Sequence, residues 1–297
     1  MTATTASLIE IIKVSMKPHN PIKTGLKRRG KLRAKVRAIL FDVYGTLFIS
    51  GSGDISVSLN CMSETGESQF EALLKKYGIS VGGPTSGSTV FKKYRTEIEE
   101  THARLRGEGI DYPEVEIERV WMSVLGFKNW DFTLRFAVEF ESLFNPVWPM
   151  PHLRDVIQAC VSNELPLGII SNAQFFTPLL FRAFFGVLPE NMGFEADLIF
   201  YSYRFRRAKP SLYLFERARE SLEVRGIPAL NTLYVGNDML NDILPARRTG
   251  FQTALFAGDR RSLRLREENE LCRELRPDIV ITDLLDLTPL TGGWEVD

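Results

Sequence analysis

Six short apolar runs, each halted by a turn or a polar residue, set the architecture of this 297-residue chain. They are Ala38-Ile39-Leu40-Phe41, Leu167-Gly168-Ile169-Ile170, Leu198-Ile199-Phe200, Leu233-Tyr234-Val235, Thr253-Ala254-Leu255-Phe256 and Ile279-Val280-Ile281. Stretches that read as helices separate them. Continuous apolar strands alternating with helices belong to a parallel sheet covered on both faces. The expected fold is therefore α/β, a Rossmann-like parallel sheet. Ligands of such sheets sit outside the carboxyl ends of the strands. The residues that close the runs are the first candidates for chemistry.

The rhythm breaks over residues 50–148. Ser68-Gln69-Phe70-Glu71 is a capping-box pattern. Phe70, Leu73, Leu74 and Tyr77 follow at helical spacing, with Gly78 as a stop. Residues 89–105, with Phe91, Tyr94, Ile98 and Leu105 on one side, predict a second helix. Residues 115–125 and 131–144 predict two more. The expected organisation is an α/β core of residues 37–49 and 149–297, interrupted by a mostly helical domain over 50–148. That domain is rich in aromatics, among them Trp121, Phe127, Trp130, Phe132 and Trp148. Packing between its helices is the default role for these rings, and a substrate pocket is the alternative.

Charge divides the chain elsewhere. The formal net charge is zero, yet residues 1–37 carry ten basic side chains against the single acid Glu10. The rest is acidic, with a net charge of −9. Residues 1–36 are expected to be a solvated, poorly ordered arm. Weak contact with nucleic acid or an anionic surface is the functional alternative. No run of about 18 apolar residues exists to cross a membrane, and the start lacks a secretory pattern. Cys61, Cys160 and Cys272 are far apart, which excludes a disulfide framework and a zinc site and fits a reducing cytoplasm. With only His19, His102 and His152, well separated, a centre built mainly on histidine is not expected.

Four segments carry the candidate chemistry. Asp42 follows the first run in Phe41-Asp42-Val43-Tyr44-Gly45-Thr46-Leu47, where Gly45 permits a sharp turn. An aspartate there can attack an electrophile and form a covalent ester or acyl phosphate, although strand ends often carry Asp and Gly without catalysis. Ser171-Asn172 closes the second run and can bind an anion through hydroxyl and backbone N–H groups; a polar turn is the plainer reading. Lys209-Pro210 opens a helix, and Lys209 is either a fixed charge at the site or a surface lysine. Asp238 and Asp242 are four apart in Gly236-Asn237-Asp238-Met239-Leu240-Asn241-Asp242. Such a pair suits Mg2+, or else Asp238 caps a helix while Asp242 is solvated.

In this order the segments ILFDVYGTLF, GIISNA, KPSLYLFERA and YVGNDMLNDILPA make the chain resemble the haloacid dehalogenase (HAD) superfamily over roughly residues 37–290. The resemblance implies a hydrolase with Asp42 as nucleophile and a helical C1-type cap at 50–148. It implies that Thr46 orients the site, that Ser171 and the Asn172 backbone hold the transferring group, and that Lys209 offsets negative charge. Mg2+ would sit between Asp42, the Tyr44 backbone carbonyl and Asp238, with Asp242 in support. The partner implied is a small anionic substrate, toward which Tyr203-Arg204-Phe205-Arg206-Arg207 could add positive charge.

Two departures pull in opposite directions. Phosphatases of the superfamily place a second Asp where this chain has Tyr44, and that Asp protonates the leaving oxygen. General acid–base help is worth about 10²–10⁴-fold. Asp-x-Tyr-Gly-Thr is instead similar to the metal-independent 2-haloacid dehalogenases, whose halide leaves without a proton. Those enzymes, however, have a different fourth segment, and a tyrosine where this chain has Phe215. The leading expectation is a Mg2+-dependent phosphatase acting on a small phosphate monoester. The first alternative is a metal-independent 2-haloacid dehalogenase, and the second a non-catalytic, ligand-binding relative.

Overall fold

The computed structural model describes residues 2–51 and 63–291. Seven strands form the main sheet, in the order β1-β9-β8-β7-β2-β5-β6. They are β1 (Arg29–Gly30), β2 (Ala38–Phe41), β5 (Leu167–Ser171), β6 (Phe194–Tyr201), β7 (Thr232–Gly236), β8 (Gln252–Phe256) and β9 (Ile279–Ile281). All neighbours run parallel except the β1–β9 edge pair. Every predicted run is a strand. The reason for their unbroken apolarity is visible in β2. Ile39 and Phe41 join one buried cluster, while Ala38 and Leu40 join another on the opposite face.

Helices cover both faces. They are α1 (Ala3–Ser15), α2 (Glu64–Lys76), α3 (Gly87–Gly107), α4 (Ile117–Leu125), α5 (Trp130–Phe144), α6 (Leu153–Ser162), α7 (Thr177–Phe185), α8 (Pro189–Met192), α9 (Ser202–Phe205), α10 (Tyr213–Val224), α11 (Leu244–Arg248) and α12 (Glu270–Arg273). Helices α2–α5 form a block entered after β3 (Phe48–Ser50) and left through β4 (Val147–Pro149), and these two short strands pair antiparallel. Residues 52–62 of the inserted stretch, Cys61 among them, lie outside the described residues. Cys160 and Cys272 are free thiols. Among the described residues no helix is long and apolar enough to cross a membrane.

The aromatic side chains of the block mostly pack on one another. The Trp121 ring stacks on Tyr94 at 4.2 Å and meets Phe136 at 4.9 Å and Phe140 at 4.7 Å. Trp148 packs on Phe184 of the core. The capping box expected at Ser68 is displaced. Ser63 caps α2 by accepting from the Gly66 N–H, so Ser68 lies inside the helix. Glu71 instead accepts from Gly87 N, and Glu67 from Ser88 N. Two acids of α2 thus satisfy orphan donors at the start of the neighbouring α3.

The N-terminal arm is not a solvated tail, contrary to the expectation from its charge. Leu8, Ile9, Ile12 and Met16 are buried. They recur with helical spacing, and α1 packs them between α5 of the block and α7 of the core. The following segment runs along the sheet edge. Thr24 donates to Ala257 O, and Arg33 Nε meets Asp278 Oδ1 at 2.7 Å. The apolar stripe outweighs the charges because burying each large side chain contributes about 1.5–3 kcal/mol. The basic residues lie beside it, some of them on acids of the body.

Candidate active site

The parallel register brings the four segments to one edge. Phe41 lies beside Ile169 on one side and Val235 on the other. Asp42, Ser171 and Asn237-Asp238 therefore leave adjacent strands together. Asp42 is anchored by its N–H to Val235 O at 2.9 Å. Its Oδ1 accepts from Ser171 Oγ at 2.8 Å and from Lys209 Nζ at 2.6 Å. Oδ2 has no hydrogen-bond partner among the described residues.

Lys209 is buried between two carboxylates. Its Nζ donates to Asp242 Oδ1 at 2.5 Å and also lies 3.3 Å from the Tyr234 hydroxyl. Burial opposes the charge, but Asp242 and Asp42 outweigh it and hold the lysine pKa above its ordinary value. Burial also raises the pKa of Asp242, an effect reinforced by Asp42 and Asp238 and opposed by Lys209. Asp242 Oδ2 accepts two main-chain N–H groups, those of Asn237 and Asp238, each at 2.9 Å. Gly236 makes room for that approach, because a Cβ there would come within 2.4 Å of Asp242 Cγ.

The remaining expected residues take less direct parts. Thr46 does not reach Asp42. Its hydroxyl donates to Asn237 Oδ1 at 3.0 Å, tying the Asp42 loop to the Asp238 turn. Gly45, at φ +85°, allows this close approach, since a Cβ would meet Ser262 and Asn237. The Asn172 side chain, rather than its backbone, does the visible work. It brackets the Lys209 peptide, accepting from its N–H at 2.6 Å. The Tyr44 hydroxyl pairs with Thr177 Oγ1 at 2.9 Å. Segment 111–117 of the block seals one side of these loops. Glu114 accepts from Ser202 Oγ, and Gln174 bonds both Val115 O and Ile117 N.

Three groups at the site escape a reading of the sequence. Tyr234 lies inside an apolar run, which reads as core. Its ring meets Phe215 at 5.0 Å, and its hydroxyl lies 3.0 Å from Asp242 Oδ1. A tyrosine hydroxyl therefore reaches the Lys209–Asp242 pair from β7, although position 215 is phenylalanine. Arg264 and Arg266 come from the loop after β8, far from any motif. Both line the small cavity, about 60 Å³, that also exposes Asp42, Asp238 and Lys209.

Arg266 bears directly on the expected Mg2+ site. It grips Asp238 as a fork, Nε to Oδ1 at 3.1 Å and Nη2 to Oδ2 at 2.6 Å. The same carboxylate caps the turn of π-helix at Met239–Ile243, accepting from Leu240 N and Asn241 N. Asp242 has both oxygens engaged. Among the described residues no cluster of His, Cys, Asp or Glu side chains is spaced to hold a metal ion. In this arrangement the donor set does not fit Mg2+, because a guanidinium and main-chain donors already satisfy Asp238.

Comparison with known proteins follows the same lines. Residues 206–287 match the family model described as HAD-hydrolase-like. No curated protein matches the chain. Among solved structures, the 2-haloacid dehalogenase from Pseudomonas syringae pv. Tomato DC3000 is 17% identical. The match has a TM-score of 0.52 and covers 86% of this chain and 97% of that one. L-2-haloacid dehalogenase from Xanthobacter autotrophicus is 20% identical, with a TM-score of 0.49 and coverage of 88% and 100%. The magnesium-bound HAD-hydrolase YfnB from Bacillus subtilis is 17% identical, with a TM-score of 0.46 and coverage of 87% and 100%. The likeness to the Pseudomonas syringae structure speaks to the fold alone. The family match falls on the stretch that carries Lys209, Asp238 and Asp242.

Proposed function

We propose that the chain is a HAD-like hydrolase that displaces halide from a small 2-haloacid without a metal, using Asp42 as nucleophile. One observation carries the reading. Tyr44 stands where a phosphatase needs its second aspartate, and its hydroxyl is committed to Thr177. An alkoxide leaving group would lose its proton donor, whereas halide departs without one. The Arg266 fork on Asp238 supports the same reading.

The chemistry divides between the two Asp42 oxygens. Oδ2 attacks the halogen-bearing carbon. A C–O bond forms, and halide leaves with the electron pair of the C–X bond. Water then adds to Asp42 Cγ, the bond from Cγ to the substrate oxygen breaks, and the 2-hydroxy acid departs as the carboxylate returns. One proton passes to solvent. During water addition negative charge collects on Oδ1. Lys209 Nζ and Ser171 Oγ already lie 2.6 and 2.8 Å from that atom, so donors are aimed where charge develops. The helical block acts as a cap that excludes bulk water.

The phosphatase reading keeps one feature, the acid pair Asp238 and Asp242 in a single turn. Halide release from 2-chloropropionate and phosphate release from p-nitrophenyl phosphate, each with EDTA or Mg2+, separate the two. Halide release that survives EDTA and disappears in Asp42→Asn is expected. Mg2+-dependent phosphate release without halide release would reverse the assignment. Release of neither across a broad panel would favour a ligand-binding role.

A further inference from the structure

Three acids, Asp42, Asp238 and Asp242, face one cavity with Lys209. Those four alone would leave a formal charge of −2 where an anionic substrate must enter. A divalent cation is the common means of cancelling such a charge. Here two arginines, Arg264 and Arg266, line the same cavity and bring it to neutrality.

Their attachment is built into the backbone. Arg264 N donates to Asn237 O at 3.0 Å, and Met239 N donates to Arg264 O at 2.9 Å. This short parallel bridge docks the loop after β8 on the acid-bearing turn. Arg264 turns part of its guanidinium to the carbonyls of Arg261 and Leu263. Arg266 sits at φ +54°, in the left-handed region that few non-glycine residues adopt, and from there its fork closes on Asp238.

We propose that Arg264 and Arg266 are an internal substitute for a divalent cation. Arg266 holds Asp238 shut against metal, and the pair supplies the two positive charges that let an anion enter. The inference rests on the metal-independent reading and explains how that reading is built into this chain. It also accounts for an acid at position 238 in a metal-independent site.

Mn2+ binding to the full-length protein, followed by the loss of the free-ion paramagnetic resonance signal, tests it without any substrate. Wild type should bind no Mn2+ below millimolar concentrations. Arg266→Gln should bind at least about ten-fold more tightly, and adding Asp238→Asn should abolish the gain. Arg264→Gln should leave exclusion intact, because Asp238 remains forked. Arg266→Lys cannot fork both oxygens and should bind measurably, which covers a glutamine variant that does not fold. Tight binding by wild type, no gain in either Arg266 variant, or equal gain in Arg264→Gln would each overturn the proposal. Metal exclusion without halide release would instead sink only the dehalogenase reading.

Discussion

Asn172 holds Lys209 by its peptide group, accepting from the lysine N–H at 2.6 Å and turning its amide toward the lysine carbonyl at 3.4 Å. The ammonium that meets Asp42 is thus aimed from its backbone. Asn172→Ala should leave the charge in place but loosen its position. An error near 1 Å at such a site costs roughly 10²-fold. The expected result is a fall in kcat of about that size with KM little changed, read by steady-state halide release. A fall in KM affinity alone would argue that Asn172 contacts substrate instead.

Lys209 is also structural, since it lies between Asp42 and Asp242 with its side chain 3% exposed. Lys209→Met should abolish turnover and leave two buried carboxylates uncompensated. Breaking a buried pair costs on the order of 3 kcal/mol. Adding Asp242→Asn should restore part of that stability without restoring activity. Urea denaturation of the two single variants and the double variant measures the coupling, and simple additivity would contradict the contact.

Much of this was legible in the residues. Unbroken apolar runs are a strong signal for a two-sided sheet, and Asp42, Ser171, Lys209 and Asp242 meet as their order implies. Short or unusual features were not legible. β3 and β4 have three residues each, too few for a pattern. Tyr234 keeps the apolar look of its strand, yet its hydroxyl reaches Asp242. Arg266 lies 28 residues beyond Asp238, and only the folded loop brings them together. In α1 the flanking charges obscured an apolar stripe that the core required.

That stripe makes the N-terminus part of the folding unit. Ile12 is 1% exposed, within a cluster that includes Met16 and Val138. Ile12→Ala should destabilise by about 2–4 kcal/mol, the range for a buried aliphatic truncated to alanine. Deleting residues 2–16 should cost more and loosen both α5 and α7, which α1 contacts. A urea midpoint unchanged by the deletion would contradict the packed arm. Removing the basic charges while keeping the stripe, as in Lys13→Gln, should shift stability by no more than ~0.5 kcal/mol.

Glu118 offers a pH test away from the chemistry. It is 4% exposed on α4, and its Oε2 has no hydrogen-bond partner among the described residues. Burial pushes its pKa up, from about 4.5 to about 7. The folded state therefore holds this proton more tightly than the unfolded chain. Its stabilising effect is complete below pH 4.5 and disappears as the pH rises through about 7. Glu118→Gln carries no charge to bury. It should match wild type near pH 4.5 and exceed it at pH 8, by at most about 3 kcal/mol. Thermal melts of both proteins across that range give the answer. A variant that gains nothing at pH 8 would mean that the Glu118 carboxylate finds a partner once ionised.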